Sequence, residues 1–228
     1  MKLTIAVPVY NERERVEPAL KELLGTTFPV EVEVVVVDDG SVDGTWETLN
    51  TLSLPPSVRL VRHDRNRGKG AALRTALDTA TGDVFVPFDA DLEYDPADLV
   101  RVLQPIRDGE SDVVFGTRAF GSHTAFNFWY VVGNKALNLC ANVLFNCYLS
   151  DLETCYKMAR TPILRSLGLR SNGFDIEPEV TAKLLKAGYR PYEVPIDYRA
   201  RTREQGKKIN WRDGVRALWV LLRERLRR

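Results

Sequence analysis

Hydrophobic positions along the chain fall into short β-branched runs, separated by segments in which apolar residues recur every three or four positions. The runs at 3–9, 32–37, 58–61, 84–88 and 113–115 read as strands, and the segments at 16–24, 45–52, 71–80 and 96–106 read as helices. The run at 32–37 is apolar on both faces, which suits a central strand covered by helices on each side. Alternation of this kind predicts an α/β fold: a doubly wound, mostly parallel sheet with helices on both faces.

Past residue 118 the pattern changes. Residues 126–149 are rich in aromatic and aliphatic side chains, and Asn134, Asn138, Asn142 and Asn146 stand four apart, aligned on one helical face. A helix over 177–186 ends at Gly188 and precedes a strand ending near Tyr198. The final helix is amphipathic, with Trp211, Val215, Leu218, Trp219, Leu222 and Leu226 on one stripe and arginines beside it. Such a helix either packs on the body or lies in the interface of an anionic bilayer; Phe126, Phe128, Trp129 and Tyr130 suit the same interface.

Composition adds little to this: 228 residues, 44% hydrophobic and 28% charged, are enough for one sizeable folded unit. Charge adds more. The net charge of +1 gives no pull toward nucleic acid, yet residues 199–228 carry +8 and residues 1–198 carry −7. A basic C-terminal segment on an acidic body points to an anionic surface or substrate there. Cys140, Cys147 and Cys155 have no CxxC spacing and sit among apolar residues, so buried reduced thiols are expected. The start, MKLTIAVPVYNERE, has no long apolar core or small-residue cleavage site, and no run reaches the roughly 20 residues of a membrane span. The expected location is the cytoplasm, at the cytoplasmic face of a membrane.

In doubly wound sheets ligands collect beyond the carboxyl ends of the strands. The polar clusters stand there: Pro8 to Glu12 after the first run, Asp38 to Ser41 after the second, Arg65 to Gly70 after the third, Asp89 to Asp91 after the fourth, Gly116 to Arg118 after the fifth. Two carboxylates one residue apart can hold a divalent cation and leave positions for phosphate oxygens. Asp89 closes an otherwise apolar run, and Glu93 is near enough to join. Adjacent side chains on an extended segment point to opposite sides, so one of Asp38 and Asp39 can reach a ligand while the other organises the Gly40–Ser41 turn. The segment from Asn66 to Gly70 lacks GxxxxGK[ST] spacing and no GxGxxG opens the first helix, which argues against NTPase and dinucleotide sites.

Together PVYNE, VVVDDGS, NRGKGAAL, DADLEYDP and GTR resemble the family 2 glycosyltransferases of GT-A fold, and within them the dolichyl-phosphate mannose synthase branch. SDLETCYK, the Glu177-Pro178-Glu179 helix, EVPI, Arg201 and Gly206-Lys207-Lys208 extend the likeness over nearly the whole chain. The resemblance implies a nucleotide-sugar half over 1–118, an acceptor half over 119–198, and a basic loop with an amphipathic helix over 199–228. It implies that Pro8, Tyr10, Glu12 and Asp39 line the nucleotide pocket, with Asp38 and Lys69 beside them, and that Asp89, Asp91 and Glu93 carry Mg²⁺ or Mn²⁺. Arg118, Arg201 and Lys208 would meet the diphosphate or the acceptor phosphate, and Asp91, Arg118, Asp151 and Arg201 form the expected catalytic set. The chain departs from that branch in two places: Glu93 stands for its usual Gln, and Gly206-Lys207-Lys208 for its Gly-Glu-Ser-Lys.

The implied reaction moves a sugar from a nucleotide-diphosphate donor to a polyprenyl phosphate, with inversion, beside a membrane. A lipid phosphate is already ionised near neutral pH and needs no general base, whereas a hydroxyl acceptor needs one. Asp151, Glu177 and Glu179 are the candidates for that base, and each can equally pair with arginines. A hydroxyl acceptor and a non-catalytic nucleotide-sugar binding module are the alternatives.

Overall fold

The computed structural model describes residues 1–119, 121–122, 128–199 and 211–227. Phe126, Arg201 and Lys208 lie outside the described residues, as do the side chains of Trp129, Tyr130 and Trp211. The βα alternation appears within two residues of where the hydrophobic pattern puts it. The elements are β1 Lys2–Val9, α1 Val16–Gly25, β2 Glu31–Asp38, α2 Thr45–Thr51, β3 Val58–Arg62, α3 Lys69–Thr79, β4 Val84–Pro87, α4 Asp98–Arg107 and β5 Val113–Thr117. The remainder comprises α5 Phe128–Phe145, β6 Lys157–Arg160, α6 Thr161–Ser166, α7 Ile176–Lys186, β7 Tyr192–Pro195 and α8 Trp211–Leu226.

Seven strands form one sheet in the order β3-β2-β1-β4-β6-β5-β7. Successive side chains on a strand face opposite ways, and this alternation sorts the core into two layers. Leu3, Ile5, Val7, Val34, Val36, Val84 and Val86 face one side, against Leu20 and Leu23 of α1 and Leu99 and Leu103 of α4. Ala6, Val35, Val37, Phe85, Val113 and Phe115 face the other, against Leu73 and Leu77 of α3, Phe145 of α5 and Leu184 of α7. The all-valine run of β2 is thus apolar on both faces because both are covered.

The hydrophobic pattern does not reveal β6. Its four residues, KMAR, carry two cations, yet it lies between β4 and β5 and runs antiparallel to both. Lys157 is paired inside the molecule, and Arg160 reaches Asp112 at 2.5 Å. The strand can hold Lys157 in the middle of the sheet because Glu177, distant in sequence, neutralises it there, while the Arg160 side chain reaches solvent.

α8 packs on α5 and α7 through Ala217, Val220 and Leu221, which are buried. Its other apolar stripe faces outward, with Val215 58%, Trp219 60%, Leu222 41% and Leu226 80% exposed. On α5, Ala141 and Phe145 are buried, while Phe128, Leu139 and Val143 are exposed. All three cysteines are free, but only Cys155 is buried, because Cys140 and Cys147 sit on the partly open side of α5 and the turn after it.

At the end of the sheet opposite the strand C-termini, Glu33 is 7% exposed and held by neutral donors. The Thr4 hydroxyl donates to its Oε1 at 2.6 Å, as do the amide N–H groups of Thr81 at 2.5 Å and Gly82 at 3.1 Å, and Lys2 Nζ lies 3.1 Å from Oε2. A Cβ on Gly82 would come within 2.5 Å of Thr4 Oγ1, so the approach requires glycine. Burial pushes the Glu33 carboxyl up, but the hydroxyl and amide donors outweigh it and bring the group down to about 2. A depressed carboxyl contributes stability that is complete above its unfolded value and lost as pH falls through the folded one. Glu33→Gln is therefore expected to destabilise the fold by about 2 kcal/mol at pH 7, as measured by urea unfolding. The gap should close as the pH is lowered from about 4.5 toward 2.

Candidate functional site

The sheet reverses its winding between β1 and β4, which are neighbours although the chain passes through β2 and β3 between them. Loops leaving their C-terminal ends diverge, and a crevice opens at this switch point. Pro8 is the penultimate residue of β1 and Tyr10 and Glu12 follow it, while Asp89, Asp91 and Glu93 follow β4. The two groups that the sequence places at strand ends therefore leave neighbouring strands at the same edge of the sheet.

The β1 and β2 loops are tied together. Asn11, at φ 52°, donates its backbone N–H to Ser41 Oγ at 2.9 Å, and its own Oδ1 accepts from Val42 N at 3.0 Å. Glu12 is buried and accepts from Arg15 Nη1 at 3.0 Å. Asp38 has no exposed surface and its Oδ1 accepts from Ser41 N at 3.3 Å, so it is the member of the acidic pair that organises the turn. Asp39 is engaged as well. Its carboxylate accepts from the Arg67 and Gly68 amides at 3.0 and 2.7 Å, and Oδ1 lies 2.6 Å from His63 Nδ1. It thereby fixes the loop that leads into α3. Gly68, at φ 96°, is packed so closely on that side that a Cβ would fall 2.3 Å from the Asn172 carbonyl oxygen.

That loop delivers Lys69 in the first turn of α3. Its Nζ donates to Asp89 Oδ2 at 2.7 Å and lies 3.2 Å from Glu177 Oε1. Glu177 in turn accepts from Lys157 Nζ at 2.7 Å, and Lys157 also donates to the Thr154 carbonyl at 2.6 Å. The result is a chain of alternating charge, Asp89–Lys69–Glu177–Lys157, joining β4, α3, α7 and β6. Burial would pull the Lys69 ammonium down, but Asp89 and Glu177 outweigh it and hold the group protonated.

After Asp91 the backbone turns sharply: Leu92 has φ 63°, a conformation that costs a branched side chain on the order of 1–2 kcal/mol. Asp91 Oδ1 accepts from Glu93 N at 3.0 Å. Glu93 is buried and takes the Tyr198 hydroxyl, so the turn sends its carboxylate toward β7 rather than alongside Asp89. Among the described residues no group of three or more His, Cys, Asp or Glu side chains is gathered closely enough to hold a metal ion.

On the far side of β6, Arg118 forms a two-pronged pair with Asp151, Nε to Oδ2 and Nη2 to Oδ1 both at 2.7 Å, and lies over the Tyr198 ring at 5.0 Å. Burial pushes the Asp151 carboxyl up, and Arg118 more than reverses this, so Asp151 is ionised. The loop that carries Asp151 is clamped from both sides. Asn138 accepts from Leu152 N at 2.8 Å, Asn142 accepts from Leu149 N at 2.8 Å, and Glu193 accepts from Ser150 N at 2.9 Å. The evenly spaced asparagines of α5 thus have a use for their central pair, while Asn134 and Asn146 are exposed. Lys157, Tyr198, Glu193 and the two asparagines are the site-forming residues that patterning missed. The i, i+4 amide repeat marked Asn138 and Asn142, and the resemblance in SDLETCYK and EVPI covered Lys157 and Glu193 without giving either a role.

Comparison with known proteins gives the family and the fold. The pattern of glycosyl transferase family 2 matches residues 4–167. The chain is 29% identical to a dolichol-phosphate mannosyltransferase of Pyrococcus furiosus, across 91% of this chain and 59% of that longer one. It is 30% identical to a polyprenol monophosphomannose synthase of Mycolicibacterium smegmatis, across 86% of this chain and 77% of that one. Among solved structures, glucosyl-3-phosphoglycerate synthase from Mycobacterium tuberculosis, crystallised with Mn²⁺, uridine diphosphate and phosphoglyceric acid, superposes with a TM-score of 0.73. At 18% identity, over 99% of this chain and 78% of that one, it shares the GT-A fold. An enzyme that transfers sugars, this chain belongs to glycosyl transferase family 2.

Proposed function

We propose that the enzyme moves a hexose from a nucleotide-diphosphate sugar to a lipid phosphate at a membrane surface, with inversion at the anomeric carbon and with Mg²⁺ or Mn²⁺. The observation that carries this reading is that Asp89 and Asp91 follow β4 while Pro8, Tyr10 and Glu12 stand at the end of the neighbouring parallel strand β1, which supports a donor site at the switch point between them. A donor laid in that crevice would have its nucleoside toward β1 and β2 and its diphosphate toward β4.

The donor set fits a hard divalent cation. Asp89 is partly exposed and Asp91 half-buried, and such an ion is commonly held by one or two carboxylates, with substrate phosphates and water completing the shell. Bound there, the metal would neutralise charge on the departing diphosphate. Lys69 supports the same task from the protein side, since its ammonium is held at Asp89 and kept protonated by it. Arg118 is committed to Asp151, so its part is to shape the pocket wall, and Arg201 and Lys208 are assigned to the acceptor phosphate. Asp38 and Asp39, with their loops locked, preorganise the nucleoside side.

The lipid part of the reading is supported by the outward stripe of α8. Val215, Trp219, Leu222 and Leu226 are exposed together, with Arg216, Arg223 and Arg225 on the same helix and Arg227 just past its end, and α5 adds Phe128, Leu139 and Val143. Among the described residues no helix is long and apolar enough to cross a membrane, so attachment would be interfacial.

Two outcomes are expected. Asp91→Ala should lower sugar transfer by on the order of 100-fold or more, and chelation with EDTA should do the same to the native enzyme, with activity returning on addition of Mn²⁺. Transfer that survives both treatments would remove the metal from the mechanism. In co-sedimentation with vesicles of phosphatidylcholine and phosphatidylserine, Trp219→Glu should reduce the bound fraction several-fold without loss of helix content, and native binding should weaken as salt is raised.

A further inference from the structure

Because β6 runs antiparallel between β4 and β5, the chain entering it crosses the C-terminal ends of both neighbours. Residues 150–156 therefore span the active edge, from the Arg118–Asp151 pair after β5 to Cys155, whose Sγ lies 3.9 Å from Lys69 Nζ beside Asp89. Glu153 stands in the middle of this span.

The other acidic residues near it are committed. Asp151 is paired with Arg118, Glu177 with Lys69 and Lys157, and Glu179 with Lys183 at 2.6 Å and the amides of Arg170 and Ser171. Glu153 has no ion pair among the described residues, and its Oε1 is enclosed without a hydrogen-bond partner. A carboxylate enclosed in this way, without a cation of its own, is costly and relieves the cost by keeping its proton. The charged groups around it pull in both directions: Lys157 of β6 and Arg118 after β5 favour ionisation, whereas Glu177 of α7 and Asp151 of the same loop oppose it. Burial dominates, and the carboxyl is pushed up to about 7. Phosphate arriving nearby would push it further in the same direction.

We infer that Glu153 is a hydrogen-bond donor to a phosphate oxygen of the acceptor, an inference that rests on the lipid-phosphate reading above. A half-buried acid with one oxygen enclosed serves here where a further arginine would not, because the loop already lies between two cations, and a neutral donor adds recognition without adding charge. No bond is made or broken at Glu153: its proton stays on the carboxyl and is shared with the phosphate.

The test uses the full chain with citronellyl phosphate, a short isoprenyl phosphate, in the presence of uridine diphosphate and Mn²⁺. Binding is measured by calorimetry at pH 6.5 and 8.5 for the native protein, Glu153→Gln and Glu153→Ala. Glutamine keeps a neutral donor, so at pH 6.5 its Kd should stay within about threefold of native, while alanine should weaken binding about tenfold. Between pH 6.5 and 8.5 the native protein should lose affinity relative to Glu153→Gln, because only the native donor is titrated away. Nucleotide binding should be the same in all three. Equal weakening in Gln and Ala variants, or the same pH response in native protein and Glu153→Gln, would overturn the role of Glu153 and leave the proposed function standing. Absence of isoprenyl phosphate binding by the native protein would instead remove the lipid-phosphate reading, and this inference with it.

Discussion

Lys69 carries a positive charge to a place where its side chain is only 12% exposed, and the arrangement of the active edge follows from how that charge is satisfied. A buried ammonium without partners would be too costly to keep ionised, so carboxylates have to come to it from several directions. Asp89 comes from the end of β4 and Glu177 from the first turn of α7, and Glu177 then needs a second cation, which Lys157 of β6 supplies. Removing one member would leave its neighbours charged and unpaired, so the four behave as a unit that fixes the mutual placement of elements far apart in sequence. Glu177 also benefits from its position at the N-terminus of α7, where the helix dipole favours an anion.

Around this chain of charges the walls of the crevice are held by hydrogen bonds to backbone rather than by side chains alone. Asp39 grips the amides ahead of α3, and Asn138, Asn142 and Glu193 grip the loop ahead of β6. Both grips act on segments that would otherwise be mobile loops, and both leave side chains at defined positions on the rim. Among the described residues, two of the three non-glycine residues with positive φ fall in the same region, Asn11 after β1 and Leu92 directly after Asp91, while the third, Asn146, closes α5. Strain of this kind persists only where surrounding contacts over-determine it, which is the condition of a preorganised site.

The parts of this arrangement that can be read from the sequence are those whose cause is local. Strands β1 to β5 are legible because β-branched residues cluster in them, and Asp89 is conspicuous because it interrupts an apolar run. β6 is illegible because its burial depends on Glu177, which neutralises Lys157 from elsewhere in the chain. Asp39 and Asp38 look alike in a sequence, and only the folded loops show one holding the approach to α3 and the other its own turn. Asp151, Glu153, Glu177 and Glu179 likewise are four interchangeable acids on paper. What separates them is the presence or absence of a cation within reach, a property of packing that no spacing rule encodes. The stripe on α8 was legible as amphipathic, but the helix has a second apolar face, and it is that second face which packs on the body.

The position of β6 also bears on how the chain comes to be folded at all. β4 and β5 do not pair with each other; the strand that joins them is made some forty residues after β5, across the whole of α5. During synthesis the first three strands and β4 can assemble as they emerge from the ribosome, but β5 has no neighbour to dock on until residues 157–160 have left the exit tunnel. For that interval the growing protein presents an unpaired edge on β4 and both edges of β5, each a template for pairing with another chain. Translation speed through α5, and chaperones that shield such edges, therefore bear on the yield of active enzyme, although no residue of that helix needs to touch a substrate.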